Sequence, residues 1–171
     1  MVPVENRREL RAALESTGGT VTAFLEQLVG ERIDAQTHRH DTIGAPPSND
    51  LGVAEGEPLL QRAATLRGHT TGSPYVYAES VIVTGRLPTR FHLRLASSID
   101  PIGRILEDTG IAVTREDLVG PLGFAGFRRN GVMDVSDSLL SRTYRIDSER
   151  APVMVITEWF LKTLDPFLPP R

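Results

Sequence analysis

Pro152-Val153-Met154-Val155-Ile156-Thr157-Glu158-Trp159-Phe160-Leu161 reads as a buried strand, apolar on both faces and β-branched at Val153, Val155, Ile156 and Thr157. One carboxylate interrupts it. Period-2 alternation puts Glu158 on the face of Met154, Ile156 and Phe160. A charge among such neighbours costs free energy unless it is paired, hydrogen-bonded or protonated. Two readings stand at this point: a Glu buried against a structural Arg, or an isolated carboxyl group kept in the core for proton chemistry.

The chain around this strand has 171 residues, 40% hydrophobic and 24% charged, enough for one domain over residues 1–171 with a proper core. A net charge of -3 and no Lys/Arg run argue against a nucleic-acid partner. Lys162 is the only lysine, so the positive charge is almost entirely arginine. The absence of cysteine excludes disulfides and thiol chemistry. The first residues lack a signal-peptide pattern and no apolar run approaches membrane-spanning length, so a cytoplasmic protein without a membrane partner is expected.

Working outward, residues 139–147 form the partner strand of a closing hairpin across Ser148-Glu149-Arg150-Ala151. A second hairpin joins residues 59–68 and 75–84. Residues 31–42 read as a polar edge strand, and 111–119 as a strand with a polar middle. Helices are expected over 5–16 and 20–29, from Pro88 to Ala96, and from Pro101 to Gly110. Residues 43–58, rich in Gly, Pro, Ser and Asn, make a long loop of the kind that often covers or binds ligands. Residues 121–135 follow no clear period. Helices first and hairpins after, with no βαβ alternation, predict an α+β fold. Its mainly antiparallel sheet of about six strands is covered by helices.

Three features suit a small anion. Arg62 shares a strand face with Leu60, Ala64 and Leu66, and its planar, permanently charged fork matches a carboxylate. It reads equally as the partner of a buried Glu, Glu158 included. Asp100-Pro101-Ile102-Gly103 reads as a helix start, with Asp100 as N-cap and Pro101 at the first helical position. That leaves the N–H groups of Ile102 and Gly103 pointing outward. Gly18-Gly19-Thr20 is a second helix start, or a plain turn between helices. Period and spacing do not say whether these features meet.

These residues also carry a resemblance. Leu59-Leu60-Gln61-Arg62-Ala63-Ala64-Thr65-Leu66 with Ser73-Pro74-Tyr75-Val76 resembles a hairpin of the chorismate pyruvate-lyases. Asp100-Pro101-Ile102-Gly103-Arg104-Ile105-Leu106 is similar to a helix start of that family. Leu140-Ser141-Arg142-Thr143-Tyr144-Arg145-Ile146 and Val155-Ile156-Thr157-Glu158-Trp159-Phe160-Leu161 are similar to its closing hairpin. The resemblance is nearest to the actinobacterial branch. It implies a sheet with an internal ligand site beneath its helices, in a cofactor-free, metal-free enzyme that removes pyruvate from chorismate and leaves 4-hydroxybenzoate. It further implies that Arg62 grips the ring carboxylate with help from the backbone at Ile102, Gly103 and Thr20. Glu158 is then the catalytic group at the opposite end of the ring, protonating the departing enolpyruvate or bonding the C4 hydroxyl. Ala63 departs from the Glu common there. A monomer and a dimer are both compatible.

The rival reading is a binding module without chemistry, or a lyase fold repurposed in secondary metabolism. Ser73-Pro74-Tyr75-Val76-Tyr77-Ala78-Glu79-Ser80 and Gly85-Arg86-Leu87-Pro88 also resemble the UTRA effector-binding domain of GntR-like regulators. The first 30 residues form at most two short helices, so no winged-helix domain is expected. Glu79 reads as a structural strand residue before a ligand contact. His38 and His40 share a strand face but have no third metal ligand nearby. Arg128 and Arg129 are candidates for a second substrate carboxylate. Tyr144 and Trp159 read as core residues.

Overall fold

In a computed structural model, described for residues 4–17, 19–118 and 133–169, four helices lie against a six-stranded antiparallel sheet. Helices α1 (Val4–Ser16) and α2 (Val21–Val29) precede β1 (Ile33–Gly44) and the hairpin β2 (Pro58–Gly68) and β3 (Pro74–Ile82). Then come α3 (Thr89–Ser97), α4 (Ile102–Thr109), β4 (Val113–Leu118) and the closing hairpin β5 (Leu140–Ser148) and β6 (Ala151–Phe160). The sheet order is β1-β2-β3-β6-β5-β4, so β6 lies inside the sheet, as its run of apolar residues requires. Arg128, Arg129 and most of the 121–135 stretch fall outside the described residues.

Alternation sorts the sheet into two faces. On one, α1 and α2 pack over Leu66, Val76 and Phe160. There too, α3 and α4 pack over Leu60, Ile82, Met154, Ile156 and Tyr144. Between these two cores the sheet carries small residues, Ala64 paired directly with Ala78, and the helices do not fill the space above them. The opposite face carries Ala63, Tyr77 and Trp159. The loop after β1 packs on that face too, burying Ala45, Leu51 and Val53 against Leu59, Val81 and Val155. Arg86 holds it there by donating to the carbonyls of Leu51 and Pro152. The loop expected as a cover is therefore a backing layer, because its apolar residues find the back of the sheet.

Two bulges redirect side chains. β1 slips between Thr37 and Arg39, so His38 turns to Thr65 and Tyr77 on the back. His40 stands beside Arg62 on the helical face. The expectation that both histidines share a face is corrected by this extra residue. In the closing hairpin, Glu149 and Arg150 both take positive φ (52° and 65°) in a two-residue turn. The register then shifts between Ile146 and Asp147. Pro152, opposite Asp147, has no N–H to give the ladder, and a bulge accommodates it. The shift sets Arg142 directly across from Glu158.

Candidate active site

A cavity of about 610 Å³ opens between the two helical pairs and the small residues of the sheet, within the usual size range of small-molecule sites. It brings together all five residues singled out from the sequence: Thr20, Arg62, Ile102, Gly103 and Glu158. Its walls are otherwise largely apolar, with Leu66, Leu106, Ile111, Ile146 and Ile156 among them.

Arg62 is 3% exposed. One nitrogen, Nη2, donates to Thr37 Oγ1 at 3.2 Å, and Nε has no partner among the described residues. No described carboxylate lies within ion-pair distance of it. Burial alone pulls its pKa down to about 10, so it stays charged at neutral pH. A buried cation without a counter-charge is costly, and this one faces a cavity. Beside it, burial and then the Arg62 charge hold His40 below the ordinary imidazole value.

Two helix starts converge on the same cavity. Thr20 caps α2 by accepting from the Ala23 N–H at 3.2 Å, and its hydroxyl donates to Glu107 of α4 at 3.0 Å. Val21 and Thr22 precede the first intrahelical bond of α2, from Phe24 N–H to the Thr20 carbonyl. Ile102 and Gly103 precede that of α4, from Ile105 N–H to the Pro101 carbonyl. All four residues line the cavity, where such N–H groups attract anions. Thr22 Oγ1 is buried with no partner among the described residues. Gly103 permits the approach of the helices: a Cβ there would come within 2.8 Å of Thr20 Cβ and 2.9 Å of Thr22 Oγ1.

The start of α4 differs from expectation by one residue. Pro101 is the N-cap, without a side-chain cap bond. Asp100 instead accepts from Nε and Nη2 of Arg94 at 3.1 and 3.0 Å, and from Arg32 and Arg104 at 3.4 Å. Surrounded by three guanidinium groups, its carboxylate has better partners than a backbone N–H. Arg104 also bonds Glu26 and the Ile33 carbonyl, tying α4 to α2 and β1.

At the other end Glu158, 1% exposed, is not the isolated carboxyl group that its apolar strand suggests. Arg142 Nε donates to Oε2 at 2.7 Å, and the Tyr144 hydroxyl donates to Oε1 at 2.5 Å. Burial, reinforced by the Glu158 charge, pushes the Tyr144 phenol well above its ordinary value, so it keeps its proton and remains a donor. Burial, the strongest single influence on Arg142, lowers its pKa, but the Glu158 charge and hydrogen bond together with Tyr144 and Asp117 leave the guanidinium above its usual value. Tyr144, which reads as core from sequence, lines the cavity, whereas Trp159 lies on the back against Tyr77. Glu79 is also on the back, accepting from the Tyr77 hydroxyl at 2.9 Å. Arg62 and Glu158 sit two strands and two ladder steps apart, roughly 12 Å between Cα atoms from ordinary sheet spacings.

Among the described residues no cluster of His, Asp and Glu could hold a metal ion, and no helix is long and apolar enough to cross a membrane. The model of a family described as chorismate pyruvate-lyase Rv2949c-like matches residues 16–168. Proteins named chorismate pyruvate-lyase from Mycobacterium leprae and Mycobacterium tuberculosis are 32% and 29% identical, each alignment covering 92% of this chain. They are covered over 76% and 81% of their own lengths. By fold, the chain is similar to PhnF from Mycobacterium smegmatis (TM-score 0.54, 15% identity, 86% of this chain and 66% of that one). It is likewise similar to the C-terminal domain of the histidine utilization repressor from Pseudomonas syringae (TM-score 0.52, 12% identity, 77% and 93%).

Proposed function

The chain belongs to the Rv2949c-like chorismate pyruvate-lyase family, and we propose that it eliminates pyruvate from chorismate to leave 4-hydroxybenzoate. The observation that carries this reading is Arg62: a buried, charged fork with no counter-ion among the described residues, at one end of a largely apolar cavity. The ring carboxylate of chorismate supplies the missing anion, and the N–H groups at the starts of α2 and α4 supply further donors.

The reaction is redox-neutral. The C3–O bond to the enolpyruvyl group breaks, C4 loses its hydrogen as a proton, the freed enolpyruvate gains one at carbon, and the ring becomes aromatic. With its carboxylate on Arg62, the ring lies across Ala64 and Ala78 with C3 and C4 toward Glu158. Glu158, fixed by Arg142 and Tyr144, accepts a proton rather than arriving with one. It takes the C4 proton and returns it to the enolpyruvate carbon. This revises the role of an isolated acid. Orientation of a rigid ring and one positioned proton acceptor supply the catalysis.

The test is incubation of the purified protein with chorismate, following pyruvate and 4-hydroxybenzoate. Equimolar release of both supports the reading. Tight binding of chorismate without conversion overturns it in favour of a binding module.

A further inference from the structure

We propose that Arg115 of β4 is the specificity-determining residue that receives the second carboxylate of the substrate, the one on the enolpyruvyl group. The assignment rests on the lyase reading above and extends it.

Chorismate carries two carboxylates, and Arg62 can neutralise one. The Glu158–Arg142 pair has no net charge to offer, and the other ionisable groups on the cavity wall near the helix starts, Glu15 and Glu107, are acidic. A dianion therefore needs a second cation. Besides Arg62, the one described cation lining the cavity is Arg115.

Its position fits that task. Arg115 pairs with Ile146 on the helical face of the sheet. Its guanidinium carbon lies 5.0 Å from the centre of the Tyr144 ring. Tyr144 in turn bonds Glu158, so Arg115 stands at the end where the ether breaks and not at the Arg62 end.

It is also loosely held. Its nearest described acid is Asp117, with a single Nε–Oδ1 distance of 3.8 Å, and its side chain is 34% exposed. By contrast, Arg145 is clasped by Asp147 and Glu116 at 2.7–3.1 Å, and Arg94 by Asp100 and Asp108 at 2.6–3.1 Å. A guanidinium stacked on an aromatic ring with its terminal nitrogens unclaimed by a described acid is poised to bind a carboxylate in two-pronged fashion.

The experiment compares a dianion with a monoanion. For wild type, Arg115→Gln and Arg115→Lys, KM for chorismate and the inhibition constant of 4-hydroxybenzoate, which lacks the enolpyruvyl group, are measured side by side. Arg115→Gln is expected to raise KM about tenfold or more, the worth of a charge-assisted hydrogen bond. It should leave 4-hydroxybenzoate within twofold, and Arg115→Lys should recover part of the loss. Equal weakening of both ligands, or no change in either, overturns the assignment. If the wild type binds chorismate without turning it over, the lyase reading fails alone, and the same comparison is made with dissociation constants from calorimetry. No chorismate binding by the wild type removes both.

Discussion

The two ends of the cavity treat buried charge in opposite ways. Arg62 has Thr37 as its hydrogen-bond partner and His40 and Ser80 beside it, with no described counter-ion, while Glu158 holds a guanidinium on one oxygen and a phenol on the other. A charge that the protein leaves uncompensated is tolerated when a ligand completes it. A charge that the protein compensates fully is held for position. The first kind of residue should cost stability and govern binding; the second should support stability and govern turnover.

The largest effect is expected at the paired end. Glu158→Ala should lower turnover by about 10²–10⁴-fold, the usual contribution of a proton-transfer group. It should also lower stability by about 3 kcal/mol, because Arg142 is left buried without its anion. Denaturant unfolding alongside single-turnover kinetics measures both. A variant as stable as wild type breaks the contrast.

Arg62→Met should act in the reverse sense. Binding of 4-hydroxybenzoate weakens by about 1.5–3 kcal/mol. The unliganded protein becomes more stable by about 2–3 kcal/mol, as removal of a burial-depressed cation implies. Calorimetry and thermal unfolding check the two halves. Loss of stability on this change means that Arg62 has a structural partner after all.

Gly103→Ala sharpens the geometry at the anion end. Helix propensity alone favours Ala by about 1 kcal/mol, whereas the contacts with Thr20 and Thr22 predict a net cost of about 1–2 kcal/mol. KM should rise with kcat retained, since the Glu158 end is undisturbed. A stabilised variant with unchanged KM means that the two helix starts are not closely coupled.

The smallest effect is at His40. Its native pKa lies below the unfolded value of 6.5, so the unfolded chain binds the proton more readily. Stability is therefore fully present above pH 6.5 and falls as the pH drops through 6.5 towards the native pKa. His40→Gln should flatten part of that acid limb in pH-dependent unfolding. An acid limb identical in wild type and variant removes His40, and with it the Arg62 field acting on it, from the account.

Much of the architecture was legible because it follows from local chemistry. Helical period, Gly stops and alternating β-branched runs mark the elements, and the run from Val153 to Leu161 demands an interior strand. Thr20, Arg62, Ile102, Gly103 and Glu158, which line the cavity, were legible singly. Their meeting was not, since it depends on Ala64 and Ala78 leaving room that no sequence period announces. The pairing of Glu158 was hidden for a more specific reason. Counting outward from a two-residue turn at Glu149-Arg150 sets Arg142 opposite Thr157. Only the bulge at Pro152 advances it to Glu158, and the turn across Ser148 to Ala151, though read from the sequence, does not announce that shift. The same kind of slip separated His38 from His40. Arg115 drew no attention because a charged residue on an edge strand is ordinarily solvated.

The contrast between the two ends is tested most directly by a crystal structure of the protein with bound 4-hydroxybenzoate. The account predicts the carboxylate within hydrogen-bond distance of the Arg62 guanidinium and the helix starts at Thr20 and Ile102, with the phenol oxygen facing Glu158. A ring bound with its carboxylate toward Arg142, or bound outside this cavity, contradicts it.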